Sequence, residues 1–508
     1  MKNIYEIAEK LYELDQQYNR LSWSQYTTGY DFGTSEAYNK ILGELSSKEN
    51  FEIVEKEYNK SSTDPAEKRK AEILYNWFQP YHLSKEANEL SLQIQKLTTQ
   101  LSQILNTHRS KIDGVEISSV DIGQILSTDD HREMRKKAYF ARAQVNKPLV
   151  DGGFCELVKL RKEYAEKRGF HDFVEMRLKD DGLSPDIFNG WKKQVHKALP
   201  AMEDVRQKAA EKYINDSRIM PWDESYISSK IAPSLNTKVD MLSYYSIIKN
   251  IFMKFGIDIS KFNITYDVFS RANKSEWGYN FQISTGKDTR ILANVKNLYK
   301  EYNVLMHETG HAVHSYLLDP KEIILNYGVS GIISEGIANL FGGLIYEEIF
   351  YKDFFGKKDC VKNEFAEIKK YSKINALRAI DTILFDQELY RNEINSLQDI
   401  NELAFKNQKD VLYEEPFGDE YPWGYRIHHT ECPIYLHNYF MGDVTCEMLK
   451  KVFCDSNSCT TIMDKPIEFS KFLIDNVINP SGLYKYPELF KKISGEDFSL
   501  KYILKDNF

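Results

Sequence analysis

Four side chains capable of acid–base or metal chemistry fall within the stretch "MHETGHAVHSY", residues 306–316: His307, Glu308, His311 and His314. On a helix at about 100° per residue, His307 and His311 stand roughly 40° apart, so both imidazoles can reach one ion. Glu308 points to the side of that pair, where it can hold a water and accept its proton. This is the HExxH spacing, with zinc as Lewis acid and Glu308 as general base. His314 lies near the angle of His307 but roughly 10 Å further along the axis. Pairing it with His311 would strand Glu308, so His307 and His311 are read as the ligands. His314 is then a hydrogen-bonding histidine of the core. The alternative for the whole run is a helix face of solvated or hydrogen-bonded histidines.

A catalytic zinc keeps three protein ligands and one open position. Pro320 closes the first helix, and "GIISEGIANLFGGLIYEEIF" resumes helical apolar spacing at Ile332, Ile333, Ile337, Leu340, Phe341 and Leu344. Glu335 is embedded in that apolar helix, where a carboxylate needs a partner or a metal. It is the expected third ligand. Glu347 and Glu348, at the more polar end, read as solvated.

The elements that must carry these residues are mostly helices. "MKNIYEIAEKLYELDQQY" places Ile4, Ile7, Ala8, Leu11 and Tyr12 at helical spacing and has no apolar signal-like core, so a cytoplasmic location is expected. Asp64 with Pro65, and Ser184 with Pro185, are N-cap and first-turn pairs, and Gly256 is a helix stop. Residues 275–295 break the pattern with two extended segments around "STGKD", which predicts a β-hairpin just upstream of the histidine run. The expected fold class is all-α, mainly helical, with a small β-hairpin or sheet beside the metal site. One catalytic unit of two lobes spans 1–508, with the zinc-binding core at about 270–445.

With 42% hydrophobic and 28% charged residues the chain has a globular composition, and its net charge of −8 without basic runs argues against nucleic acid and membrane as partners. No apolar run is long enough to span a bilayer. The six cysteines are scattered, and "CDSNSC" lacks the redox CxxC spacing, which suits a reducing compartment.

"HETGHAVHSY" resembles the HExGHxxHSY helix of oligoendopeptidase F and its relatives. A glutamate about two dozen residues later on a second helix is shared by that family, thimet oligopeptidase and angiotensin-converting enzyme. "SEWGYNFQISTGKDTRI" is similar to a hairpin of angiotensin-converting enzyme, and "EYAEKRGFHDFVEMRL" (residues 163–178) resembles an upstream segment of both branches. The resemblance, which covers roughly residues 163–439, is to the HExGH gluzincin peptidases. It implies a helical ellipsoid with a deep, narrow channel, one zinc ion per chain and short unfolded peptides as substrates.

In "PWGYRIHHTECPIYLHNYFMGD" (residues 422–443), Tyr435 and Tyr439 are four apart on a helix expected to start near Thr430. A phenol beside an imidazole can donate to the oxyanion of a tetrahedral intermediate; plain aromatic packing is the alternative. By resemblance to angiotensin-converting enzyme, the series Arg426, His428, Pro433, Tyr435 and Tyr439 implies Tyr439 as oxyanion donor with His428 beside it. Tyr435 and His429 compete for those roles. Arg426 would capture a substrate's C-terminal carboxylate, or else form a simple salt bridge. The hairpin would pair with an extended peptide, and Trp277 and Tyr279 line the cleft or pack as core aromatics. Asn339 stands where angiotensin-converting enzyme has an Asp behind a zinc histidine. These features imply a zinc peptidase acting on oligopeptides, first as an oligoendopeptidase and alternatively as a peptidyl-dipeptidase. A third possibility is a non-catalytic peptide-binding helical protein.

Overall fold

Local signals set many of the helix ends. Asp64 accepts a hydrogen bond from the Ala66 N–H at 2.8 Å and Pro65 opens the helix Pro65–Phe78. Gly256, at φ 74°, stops the chain after the helix Tyr244–Lys254. The signal at Ser184 and Pro185 yields only a short 3₁₀ turn, Pro185–Phe188. The long helix Trp191–Ile214 begins later, after Gly190 in the left-handed region, because the chain must turn there first.

The computed structural model describes residues 2–275, 278–355 and 361–504, so Trp277 lies outside the described residues. The chain is mainly helical, as expected, and divides into two units assembled from segments distant in sequence. The first comprises Met1–Leu83, Thr237–Cys360 and Met441–Tyr502; the second comprises Ser84–Asn236, Val361–Phe440 and Ile503–Phe508.

The strands are few. β1 (Ser110–Ile112) and β2 (Val115–Ile117) form a small antiparallel ladder in the second unit. The first unit holds β3 (Ile264–Phe269), β4 (Tyr279–Ser284) and β5 (Asp288–Val295) in the order β3-β5-β4. β4 and β5 are the expected hairpin, turning through Gly286 at φ 67°. β3, which pairs parallel with β5, was not expected; a parallel partner is a long-range contact without a local turn signature. Lys274, its side chain fully buried, donates through Nζ to the carbonyls of Asp267, Phe269 and Ala293 at 2.6–2.9 Å and to the Asp267 carboxylate. These bonds fasten the loop that leads into β4.

α1 (Ile4–Thr28) starts with a capping box between Asn3 and Glu6 and buries Ile4, Ile7 and Leu11 against Leu74, Phe78 and Ile324. Farther along, its Trp23 packs on Ile283 of β4 and Leu292 of β5. Two helices then carry the expected metal ligands: α2 (Tyr302–Leu317) and α3 (Gly331–Gly342), the latter capped by Ser330. They touch backbone to side chain. A Cβ on Gly310 would stand 3.0 Å from the Cα of Ala338, and one on Gly342 would stand 3.2 Å from the Cβ of His307. In the second unit, the buried Arg161 donates to the carbonyls of His429 and Thr430 and to the Tyr390 hydroxyl, fixing the short turn Ile427–Thr430.

The helix expected to start near Thr430 begins instead at Leu436, as α4 (Leu436–Asn457). Pro433 and a left-handed Ile434, φ 58°, interrupt it. The Ile434 N–H is held in that conformation by the Asp386 carboxylate at 2.6 Å.

Gly310→Ala should destabilise the metal-free protein by about 1–3 kcal/mol, since a methyl group there must push α3 away. The parallel change Gly123→Ala, with no atom within 4 Å of the new Cβ, should be neutral or slightly stabilising. Denaturant unfolding of the two variants checks the contrast; equal stability of both would contradict the close-packing argument.

Candidate active site

α2 and α3 bring three donor groups to one point. The Nε2 atoms of His307 and His311 are 3.2 Å apart. Glu335 places Oε2 3.6 Å from His307 Nε2 and Oε1 3.8 Å from His311 Nε2. One ligand atom from each residue lies within 4.8 Å of the other two. Two nitrogens held about 2.0–2.1 Å from a tetrahedral ion are themselves about 3.3–3.4 Å apart, so the spacing suits zinc.

The far side of each ring is also engaged. His311 Nδ1 meets the Ser334 hydroxyl at 2.9 Å. His307 hydrogen-bonds Asn339, whose Nδ2 donates to Asp443 Oδ1 at 2.9 Å. With the Asn339 amide nitrogen committed to Asp443, its carbonyl is left for His307. Both rings therefore turn Nε2 toward the common point, as ligating histidines do.

The electrostatics ask for a cation. Burial lowers the His307 imidazole to about 4, against its hydrogen bond to Asn339, and lowers His311 well below the ordinary value. Both rings are neutral at pH 7 and keep a lone pair for a metal. Burial, with the nearby Asp443 charge, raises Glu335 to about 7, and its Oε2 is buried without a hydrogen-bond partner among the described residues. Two neutral imidazoles and an orphaned carboxylate oxygen form a donor set that a divalent ion completes.

Glu308, 7% exposed, stands next to this triad, raised to about 8 by burial and then by the Glu335 charge. Gly278, which enters β4, faces it: a Cβ there would lie 3.1 Å from Glu308 Oε1. β4 is an edge strand of its sheet. Its far end is already engaged by α1, where Asn19 Nδ2 donates to the Gln282 carbonyl and the Tyr12 hydroxyl accepts from the Thr285 N–H. Tyr279 packs edge-on against Tyr26, with ring centroids 5.1 Å apart, and touches Phe281, so its ring belongs to an aromatic cluster with α1. His314 is buried and lowered to about 4 by that burial. Among the described residues its Nε2 has no hydrogen-bond partner, in contrast to the expected hydrogen-bonding role.

In the second unit, His428, Tyr435 and Tyr439 form one cluster. The His428 ring stacks on Tyr435 at 6.3 Å and meets Tyr439 edge-on at 5.7 Å, and the two tyrosine rings are 5.5 Å apart. Burial, then the His429 and Arg426 charges, lower His428 to about 4, so this ring is neutral. His429 is not part of the cluster: it is 1% exposed and its Nδ1 is held by Asp386 at 2.8 Å. Arg426 forms no ion pair with a carboxylate among the described residues. Its guanidinium lies 5.2 Å from the Tyr425 ring centre, and Arg142 lies 4.8 Å from the same ring. Burial opposes ionisation of the Tyr425 phenol, but these two cations carry it below its ordinary value.

Ser334, Asp443 and Gly278 were not expected from sequence. Ser334 directly precedes Glu335 and could have been found from the helical repeat. Asp443 gives no local signal, because its partner Asn339 is 104 residues away.

The model of peptidase family M3 matches residues 125–265, under a third of the 508 residues and upstream of the triad. No curated protein sequence matches the chain. Its fold is that of several solved peptidases. Pz peptidase A with inhibitor 2 superposes with a TM-score of 0.74 at 17% identity, over 100% of this chain and 91% of that one. A protein of Bacillus anthracis str. Ames, assigned as an oligoendopeptidase F, gives 0.70 at 16% identity, over 98% and 89%. The M32 carboxypeptidase of Deinococcus radiodurans R1 gives 0.65 at 14% identity, over 98% and 96%. These findings together bear out the superfamily resemblance read from the motifs, and they support a peptidase. No helix among the described residues is long and apolar enough to cross a membrane.

The site makes stability depend on pH. Glu308 is raised to about 8, and Glu335 and Asp443 to about 7, above the unfolded carboxyl value of about 4. Their contribution is fully present below about pH 4 and is lost as pH rises through 7 and 8. The buried imidazoles act in the opposite sense, losing their contribution as pH falls below about 6.5. Above about pH 6.5 only the carboxyls still differ between the two states. The metal-free protein should therefore lose stability between about pH 6.5 and 8. Thermal unfolding in chelator checks this, and a midpoint that rises across that window would contradict it.

Proposed function

We propose, starting from the fold shared with M3 and M32 peptidases, that this chain is a zinc-dependent metallopeptidase hydrolysing peptide bonds in short oligopeptides. The observation that carries the reading is the convergence of His307, His311 and Glu335 on one point, with a Glu335 oxygen left unpartnered and Glu308 alongside. His307, His311 and Glu335 would hold the ion. When bound, zinc would supply a Lewis acid that polarises the scissile carbonyl and acidifies water.

The chain's own residues then do the rest. Glu308 orients the attacking water, takes its proton at a carboxylate oxygen and returns it to the leaving amine. A buried carboxylate with a raised pKa is suited to such transfer, because its affinity for the proton is closer to that of the groups it serves. The absence of a side chain at Gly278 leaves the Glu308 carboxylate uncrowded. Tyr439, with His428 beside it and Tyr435 in the same cluster, is assigned to oxyanion stabilisation. That assignment rests on the resemblance and on the availability of phenol and imidazole donors within one cluster. The edge strand β4 is assigned to main-chain recognition of an extended peptide, and Tyr279 to its flank.

The simplest mode is internal cleavage, as an oligoendopeptidase. Peptidyl-dipeptidase action is favoured by one observation: the Arg426 guanidinium has no carboxylate partner among the described residues, which leaves it able to take a substrate's C-terminal carboxylate.

Glu308→Gln should retain zinc and lose hydrolysis of a mixed peptide library by about 10²–10⁴-fold. Chelation should abolish wild-type activity and zinc should restore it. Undiminished cleavage by the Gln variant would overturn the mechanism, and a wild-type protein that binds zinc but cuts nothing would favour the non-catalytic reading. Cleavage mode is read by mass spectrometry of products from one peptide with a free or amidated C-terminus. Dipeptide release that disappears on amidation, and in Arg426→Gln, supports the carboxylate role; indifference to both removes it.

A further inference from the structure

We propose that Asp443, acting through Asn339, is a positioning residue for His307: it fixes which way the Asn339 amide faces and so which nitrogen of His307 is offered to the metal. The inference rests on the reading of His307, His311 and Glu335 as a zinc site.

The two metal-facing rings are braced differently. His311 has a neutral hydroxyl, Ser334, behind Nδ1. A hydroxyl can donate or accept, so it does not dictate the tautomer of the ring. His307 has a carboxamide behind it, which has a donor end and an acceptor end. If the donor end faced His307, the ring would have to accept there. Its proton would then move to Nε2, the atom that must carry the lone pair for zinc.

Asp443 removes that choice. Its Oδ1 accepts from Asn339 Nδ2 at 2.9 Å. Above about pH 7, where Asp443 is ionised, its carboxylate can only accept, so a reversed amide would set oxygen against oxygen. The Asn339 carbonyl is therefore kept toward His307, the ring keeps its proton on the nitrogen facing Asn339, and Nε2 stays free. The carboxylate also polarises the amide, which raises the basicity of the imidazole beyond what an isolated amide provides.

The position of Asp443 is costly without such a use. The one cation that acts on it, Lys450, is paired with Glu447 at 3.0 Å, burial outweighs that attraction, and the one hydrogen-bond partner of Asp443 among the described residues is Asn339. It also stands near enough to Glu335 for the two charges to repel. A group kept only for folding gains little from that placement. Asn339 alone reads as the loss of a charge behind the histidine. Together, Asn339 and Asp443 keep the charge and move it one residue outward.

The test uses zinc alone as probe and reads affinity by competition with a chromophoric chelator, alongside the unfolding midpoint of the metal-free protein. Asp443→Asn, which preserves shape, should weaken zinc binding about 10–100-fold. The metal-free midpoint should stay level or rise, because a buried charge is removed. Asn339→Asp combined with Asp443→Asn restores the charge directly behind His307 and should recover most of the lost affinity. Unchanged zinc affinity in Asp443→Asn overturns the proposal. So does a fall in its metal-free midpoint, which would show a role in folding, or a double variant that binds no better than the single one. A wild-type protein that binds no zinc fails differently, since it removes the metal reading itself.

Discussion

Glu335 puts a carboxyl group on an otherwise apolar helix, where burial and the Asp443 charge raise it to about 7. Its helix buries Ile332, Ile333, Ile337, Leu340 and Phe341, and the carboxylate gains no cationic side chain from any of its neighbours. The nearest polar groups are two imidazoles that burial keeps neutral. A carboxylate in that position either takes a proton or takes a cation. The rest of the first unit is arranged so that a cation is the better answer. Three donor atoms already stand at bonding separations, and the rings behind them are braced at their other nitrogen. Preorganisation of this kind spends folding energy in the metal-free state that a bound ion would return.

Two packing features make the arrangement possible. The first is the approach of α2 to α3, which leaves no room for a Cβ at Gly310 or Gly342. Every ångström added between these helices would separate Glu335 from both histidines at once, since the ligands come from opposite sides of the contact. The second is the sheet beside α2. Lys274 ties the β3 and β5 carbonyls to the loop ahead of β4, and α1 clamps the far end of β4 through Asn19 and Tyr12. At the start of β4, Gly278 faces the Glu308 carboxylate, where a Cβ would stand 3.1 Å from Oε1. The candidate ligands thus lean mainly on the contact between α2 and α3, and Glu308 also on the sheet beside α2.

Some of this was legible in the sequence and some was not, for physical reasons. The HExGH run and the apolar repeat around Glu335 are local patterns, and local patterns specify helices and faces directly. A lone acid within an apolar repeat also announces that something else must balance it. The hairpin was legible because turn residues sit between two extended segments. β3 was not, because parallel pairing with β5 leaves no mark at either end of the strand. The break before Leu436 was hidden in a similar way. Pro433 alone is compatible with a helix start, and what decides the outcome is Asp386, far away, gripping the Ile434 N–H. Asp443 escaped notice for the same reason as Asp386: each acts on a partner that only the fold supplies.

Asp386 also separates two adjacent histidines that the sequence alone leaves equivalent. One of its oxygens holds His429 Nδ1 and the other holds the Ile434 N–H, so a single carboxylate bends the chain and removes His429 from solvent. The bend turns Tyr435 out of the helix that follows, where it stacks on His428 while Tyr439, on α4, meets the same ring edge-on. Had the helix run unbroken from Thr430, Tyr435 and Tyr439 would share a face but His428 would lie before its first turn. The interruption therefore assembles the imidazole and the two phenols. His428 is a neutral ring at pH 7, and all three side chains carry hydrogen-bonding groups. Such a group can stabilise developing negative charge without first holding an anion, a distinction that matters when substrates themselves carry carboxylates. Arg426, two residues before His428, lies against the Tyr425 ring, and its charge helps to keep His428 neutral. A cation and a group of uncharged hydrogen-bonding rings are thus contributed by different residues within twenty positions of one another.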